Sequence, residues 1–144
     1  MAISKVLYSG KSDEWTTPDD LFNKLDAEFN FTLDAAASNE NYKVANYYTM
    51  QDDALRRSWG GEIVFCNPPY SNIKEWVKKA YNESLKPKTT IVLLIPARTD
   101  TNYFHKYIYH RSEIRFIRGR VRFSNSKENA PFPSMIVIFR SAEE

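Results

Sequence analysis

Ile63-Val64-Phe65-Cys66-Asn67-Pro68-Pro69-Tyr70 sets an apolar run against two prolines. A run of apolar residues opened by Glu62 and closed by two prolines predicts a short buried strand over 62–66, because prolines cannot continue a central ladder and hold the backbone in an extended turn. The strand delivers an amide, two prolines and an aromatic ring to its carboxyl end. In open α/β sheets that end is where ligands bind.

Working outward, Ser71 is placed to cap a helix whose Ile73, Trp76, Val77, Ala80 and Tyr81 share one face. After Lys86-Pro87-Lys88, residues 90–95 form a continuous apolar run of the kind buried on both faces of a parallel sheet. A helix is expected from about Thr101, with Tyr103, Phe104, Tyr107 and Ile108 inward, then strands at 114–117 and 135–139. Between Ser124 and Pro133 lies a polar loop with no secondary-structure signal, and in a short chain such a loop points to function. Upstream, Thr17 reads as an N-cap, with Pro18 at the first helical position and Asp20 in the capping-box slot. Leu21, Phe22, Leu25 and Phe29 then recur on one face. Phe31 and Leu33 alternate around Thr32 and end at Asp34, before the small residues Ala35-Ala36-Ala37-Ser38. Strands alternating with helices predict an α/β protein with a mostly parallel central sheet. With four glycines, no repeat and no low-complexity tract, 1–144 reads as a single domain with its core at about 14–140.

The 144 residues are 42% apolar and 15% aromatic, enough to fill one core and too apolar for a disordered chain. Twenty Lys and Arg against 18 Asp and Glu leave +2, so nucleic-acid affinity has to come from locally clustered charge. Cys66 is the single cysteine, and His105 and His110 are the two histidines. No cluster has metal-ligand spacing, and no metal is expected. Cys66 reads as a buried structural thiol pointing away from Asn67, and the histidines as packing or surface residues. No apolar run is long enough to cross a membrane, and the polar N-terminus lacks a signal peptide's apolar core, so the expected location is the cytoplasm.

The chemistry of Asn67-Pro68-Pro69-Tyr70 suits a planar amino group. The Asn67 side-chain oxygen and the Pro68 carbonyl can both accept hydrogen bonds from one NH₂, with Tyr70 stacking on the ring and the prolines fixing the angles. The bland alternative is a polyproline turn in which Asn67 caps its own backbone and Tyr70 is core.

These residues resemble the Asp/Asn-Pro-Pro-Tyr/Phe motif of S-adenosylmethionine-dependent methyltransferases that modify amino nitrogens. Glu14-Trp15-Thr16-Thr17-Pro18, Leu33-Asp34-Ala35-Ala36-Ala37-Ser38, Asp53-Ala54-Leu55 with Trp59, Leu94-Ile95-Pro96-Ala97-Arg98, Gly119-Arg120-Val121-Arg122-Phe123 and Pro131-Phe132-Pro133-Ser134 follow in the order seen in the phage-type DNA N6-adenine methyltransferase (Dam) family. The resemblance runs from about Glu14 to Phe139. It implies a compact, trimmed Rossmann-like methyltransferase fold and transfer of a methyl group from S-adenosylmethionine to the N6 amino group of adenine in DNA. It places Thr16, Thr17 and Pro18 beside the cofactor's methionine end, where a helix start favours a carboxylate. Trp15 either stacks near the cofactor or serves as a hydrophobic staple. Asp34 is implied to accept the cofactor ammonium, and Asp53 the amino group of its adenine. Ala35 and Ala36 stand where many methyltransferases carry a glycine-rich turn. No ribose-binding carboxylate is evident between Ser38 and Asp52, where Glu40 is the one substitute, and the usual strand-helix unit is expected to be trimmed.

The N6 lone pair is delocalised, so the site has to orient and localise it. Asn67 is an amide and no general base, so its expected part is to orient and polarise, with the proton leaving after transfer. The resemblance implies base flipping with Tyr70 as platform. Among Arg111, Arg115, Arg118, Arg120 and Arg122, alternation places Arg118, Arg120 and Arg122 on one strand face, either as phosphate contacts or as a solvated edge. Arg98 lies near the same carboxyl edge, contacting substrate or pairing with Asp100. Recognition of the target sequence needs loops such as 124–133 or a second subunit, as in a homodimer. Two other readings stay open: methylation of another planar nitrogen, in a protein glutamine or an RNA base, and a catalytically silent nucleic-acid-binding module.

Overall fold

A computed structural model describes residues 15–142. Glu14, where the expected core begins, lies outside the described residues. Five strands form one sheet: β1 (Leu33–Asp34), β2 (Ile63–Cys66), β3 (Thr90–Pro96), β4 (Glu113–Phe116) and β5 (Ser134–Arg140), in the order β1-β2-β3-β5-β4. β1, β2 and β3 are parallel, with Val64 opposite Leu33 and Phe65 opposite Val92. β5 runs antiparallel to both β3 and β4. The expected mostly parallel sheet is therefore a mixed one, parallel only in its first half. After β4 the chain turns back without a crossover helix, so β5 can return only in the opposite sense.

Two α-helices are present among the described residues, α1 (Asp19–Phe29) and α2 (Ile73–Ser84). The strand alternation sends its side chains into two cores. Val64, Cys66, Ile91, Leu93, Ile95 and Val137 pack with Trp76, Val77 and Ala80 of α2 on one face. Phe65, Val92, Leu94 and Ile138 pack on the other with Phe22 and Leu25 of α1 and with Val121, Phe123 and Ala130. β3 is buried from Ile91 to Pro96, as its unbroken apolar run requires.

Four expectations shift. Thr17 is not the N-cap: the cap position of α1 is Pro18, with extended backbone at ψ 142° and no side-chain cap. The Thr17 hydroxyl is instead engaged by Asn67. Ser71 lies inside a 3-10 turn (Tyr70–Asn72), and the cap position of α2 is Asn72. The helix expected from Thr101 is reduced to a π-helical turn (Phe104–Ile108), which buries Phe104 and Ile108 but only partly Tyr103 and Tyr107. Arg118, Arg120 and Arg122 lie on no strand, because β4 ends at Phe116 and the chain turns at Gly119, whose φ of 75° is left-handed. The alternation survives in extended backbone, with Val121 and Phe123 buried and all three arginines exposed.

Between β1 and β2 the chain forms no α-helix or strand, only 3-10 turns (Met50–Asp52, Ala54–Arg56) and an isolated bridge from Asp34 to Tyr47. Trp59 anchors this segment, its indole N–H donating to the Ala54 carbonyl at 3.0 Å. The trimmed connection leaves the carboxyl ends of β1 and β2 open.

Candidate active site

A cavity of about 500 Å³ opens at those carboxyl ends, the size class of a cofactor pocket. Trp15, Thr16, Thr17, Asp34, Ala35, Ala36, Asp53, Asn67 and Pro69 line it. These are the expected cofactor and catalytic positions except Pro18, Pro68 and Tyr70. Pro68 is buried, and Tyr70 stands behind Asn67. Sequence reasoning did not assign Asn41, Thr49, Met50, Gln51, Asn72 or Trp76 to this wall. The polar Ser38–Asn41 turn was the available signal, whereas Trp76 reads only as helix core.

Asn67 closes β2 and is held on three sides. Its Nδ2 donates to the Trp15 carbonyl and to Thr17 Oγ1, the latter at 3.0 Å. Its Oδ1 accepts from the Tyr70 hydroxyl at 2.7 Å, and that hydroxyl also lies 3.3 Å from the Leu94 carbonyl. Burial pushes the Tyr70 phenol far above its ordinary range, so it stays a neutral donor. These contacts set the rotamer of Asn67 and leave its oxygen, with two lone pairs, one further acceptor position. Tyr70 packs edge-on to Phe132, with ring centroids 5.7 Å apart.

The segment gripping Asn67 is itself tied to the 124–133 loop. Thr16 N–H donates to Asn125 Oδ1 at 3.0 Å, and Ser124 N–H donates to the Thr16 carbonyl at 2.8 Å. The Trp15 ring packs on Phe123 and Phe132, each centroid 5.3 Å away, so it seats the loop while lining the cavity. The Thr16 N–H is taken by Asn125, and in the first turn of α1 the Leu21 N–H is taken by Asp20 Oδ1 at 2.8 Å.

Asp34 ends β1 and is 2% exposed. Its carboxylate accepts N–H bonds from Lys43 at 2.9 Å and Ala36 at 3.3 Å. Burial outweighs these and pushes its pKa up to about 6. A carboxylate desolvated at a cavity wall, with no cation hydrogen-bonded to it, is suited to a cationic ligand. Asp53 also lines the cavity, with its side chain half exposed and 3.4 Å from Arg56 Nε. Asp52, by contrast, closes a capping box with Thr49. Glu40 lines the cavity as an exposed side chain. Cys66 is buried away from the cavity, and burial pushes its thiol up.

The arginines divide. Arg115 makes a bidentate pair with Glu28 at 2.7 and 2.8 Å and bonds Glu113 at 2.6 Å, so it is committed within the protein. Arg111 Nε donates to the Lys106 carbonyl. Arg98, Arg118, Arg120 and Arg122 are exposed and outside the cavity, and Arg98 forms no ion pair with Asp100. Among the described residues no group of three or more His, Cys, Asp or Glu could hold a metal ion, and no helix is long and apolar enough to cross a membrane.

Fold and site together define a class: an α/β protein with a small-molecule cavity at the carboxyl edge of its parallel strands and an oriented amide in the cavity wall. The chain belongs to the DNA N-6-adenine-methyltransferase (Dam) family, whose model matches residues 4–144. It is 32% identical over 139 residues to the DNA N-6-adenine-methyltransferase of Haemophilus phage HP1, covering 90% of this chain and 80% of that protein. It is 36% identical over 109 residues to the DNA N-6-adenine-methyltransferase of Escherichia phage T1, covering 74% of this chain and 45% of that protein. A putative methyltransferase of Escherichia coli K12, YfdM, is 38% identical over 65 residues, covering 40% of this chain and 71% of that protein. Family membership makes this chain an enzyme that methylates adenine in DNA.

Proposed function

We propose that the chain works as a single, trimmed Rossmann-like domain that binds S-adenosylmethionine in the 500 Å³ cavity and presents the N6 amino group of a flipped adenine to it at Asn67. The observation that carries this reading is the shared wall: Asn67, with one acceptor position left, and Asp34, a buried carboxylate without a hydrogen-bonded cation, line one cavity. The donor set fits the cofactor: Asp34 for its ammonium, Asp53 for its adenine amino group, and Trp15, Thr16, Thr17, Ala35 and Ala36 as close walls. When bound, S-adenosylmethionine supplies a methyl group already activated on a sulfonium.

Asn67 Oδ1 accepts from the target amine and draws its lone pair out of conjugation with the ring. Three hydrogen bonds pre-orient the Asn67 side chain, so little is spent on ordering it during reaction. Asn67 takes no proton; the amine becomes acidic once methylated and releases its proton to solvent. Tyr70 contributes its hydroxyl to Asn67. Arg98, Arg118 and Arg122 are exposed beyond the cavity, and Arg120, also exposed, makes only a 3.4 Å bond to the Ala130 carbonyl, so all four are placed to meet DNA phosphates. The test is incubation with labelled S-adenosylmethionine and DNA of mixed sequence, then digestion to nucleosides. Labelled N6-methyladenine is expected, and label in protein or RNA nucleosides alone would overturn the reading.

A further inference from the structure

A second cleft, about 660 Å³, lies between the outer face of α2 and the π-helical turn. Lys74, Lys78 and Lys106 line it, and Glu75 is its single acidic side chain. All three lysines are exposed, and none is within 4 Å of a carboxylate among the described residues. Lys106 Nζ reaches only the Tyr107 ring, 5.3 Å from its centroid, a contact that leaves its charge in place. Lys79, on the same helix, is by contrast paired with Glu83 at 3.2 Å.

Lys74 and Lys78 are four apart on one helix face, a like-charge arrangement that disfavours the helix. Ile73, Trp76, Val77 and Ala80 occupy the buried face, so the lysines project from the opposite one. The π-helical turn, closed by Tyr109 N–H to the Phe104 carbonyl at 2.8 Å, buries Phe104 and Ile108 and leaves Lys106 and His105 outside. Three unpaired cations are thus gathered by two elements packed on one another.

The cleft's position suggests its use. α2 follows Asn67-Pro68-Pro69-Tyr70 after one 3-10 turn, and the π-helical turn follows Arg98 beyond the end of β3, so both rise from the edge that holds Asn67. They cover the sheet face built on Ile91, Leu93 and Ile95. Arg120 and Arg122 flank Val121 and Phe123, which pack on the other face. Asn67 lies at the edge between two cationic surfaces.

We propose that the Lys74, Lys78 and Lys106 cleft is a second contact for the phosphodiester backbone of the DNA substrate, so that the duplex is held from both faces of the sheet while a base reaches Asn67. The proposal rests on the methyltransferase reading above and extends it to where the duplex lies. Backbone neutralisation by lysine is independent of sequence and sensitive to salt, because each phosphate contact releases condensed counterion.

The experiment uses the full chain, its Lys74→Gln/Lys78→Gln/Lys106→Gln variant and a Glu75→Gln variant, with binding measured on two unrelated duplexes at several salt concentrations and S-adenosylmethionine affinity measured in parallel. The triple variant should lower the slope of log affinity against log salt by up to about 2.7, roughly 0.9 for each of three phosphate contacts, equally on both duplexes and with cofactor affinity retained. Glu75→Gln should tighten DNA binding, a gain that misfolding cannot produce. Unchanged slopes together with unchanged Glu75→Gln affinity overturn the cleft while leaving the methyltransferase standing. Parent protein that binds DNA without methylating it overturns the activity, and the slopes still decide the cleft. A change on one duplex alone also overturns the proposal, since it would signal base reading.

Discussion

Replacing Asp34 with Asn should weaken cofactor binding and at the same time make the ligand-free protein more stable. The folded carboxyl has a pKa near 6 against an ordinary value of 3.8, and burial is the dominant cause. The folded protein therefore holds the Asp34 proton more tightly than the unfolded chain, so stability is fully present below 3.8 and is lost as pH rises through about 6. A difference of two units corresponds to about 3 kcal/mol of penalty at pH 7.5. Asparagine removes that penalty. One of its atoms still accepts the Lys43 N–H, but the NH₂ now faces the Ala36 N–H, which gives back about 1 kcal/mol. The net gain is about 2 kcal/mol, or roughly 6 °C in Tm for a chain of this length. Thermal melts of parent and variant at pH 7.5 and at a series of lower values check the size and the sign, since the gap should shrink as pH falls through the window from 6 to 3.8 and reverse by about 1 kcal/mol below it. Calorimetric titration with S-adenosylmethionine should show at least a tenfold loss for the variant at pH 7.5. A variant that is no more stable than the parent at that pH, or that binds the cofactor equally well, refutes the assignment of Asp34 as a desolvated anion waiting for a cation.

Parent affinity for the cofactor should itself fall as pH drops below about 6, because protonation of Asp34 has to be reversed on binding, and titrations between pH 5 and 8 would read this directly. Asn67→Ala should abolish methyl transfer while keeping cofactor affinity within a few-fold, measured by product digestion and calorimetry; normal turnover by the folded variant would move the target amine elsewhere. Tyr70→Phe keeps the ring and loses the hydroxyl held 2.7 Å from Asn67 Oδ1, so kcat should fall by roughly tenfold, the worth of about 1.4 kcal/mol, with little change in KM for DNA. Asn125→Ala breaks the bond to Thr16 N–H, and lower kcat is expected, restored by Asn125→Asp, which keeps the acceptor. Arg120→Ala and Arg122→Ala should each lower the salt slope of DNA binding by about one unit without altering sequence preference.

The elements that were legible share a local cause. Phe65 and Cys66 had to be strand because two prolines follow an apolar run, and residues 91–95 had to be interior because no polar side chain interrupts them. Trp76, Val77 and Ala80 needed only helical periodicity. The elements that shifted were those whose local preference met a tertiary competitor. Thr17 is a good cap by composition, yet its hydroxyl is taken by an amide fifty positions away in sequence. Tyr103 to Ile108 carry a helical pattern, yet the turn adopts π geometry while packing against α2. Arg118 to Arg122 alternate as a strand does, but alternation reports only which side chains are buried, and no neighbouring strand supplies a ladder.

The candidate site divides along the same line. Chemistry at single points is legible in the chain: an amide, two prolines and a tyrosine at a strand end, a carboxylate closing another strand, and an order of short motifs shared with a family. These depend on residues adjacent in the chain, where side-chain type and backbone preference act without help. Packing between distant segments settles that Asn67 is gripped by Trp15, Thr17 and Tyr70, that Asn125 braces that grip, that Asp34 is buried enough to raise its pKa, and that exposed lysines from two elements share a cleft. Each depends on distance and on exclusion of water between segments far apart in sequence, and those quantities exist only once the chain has closed on itself.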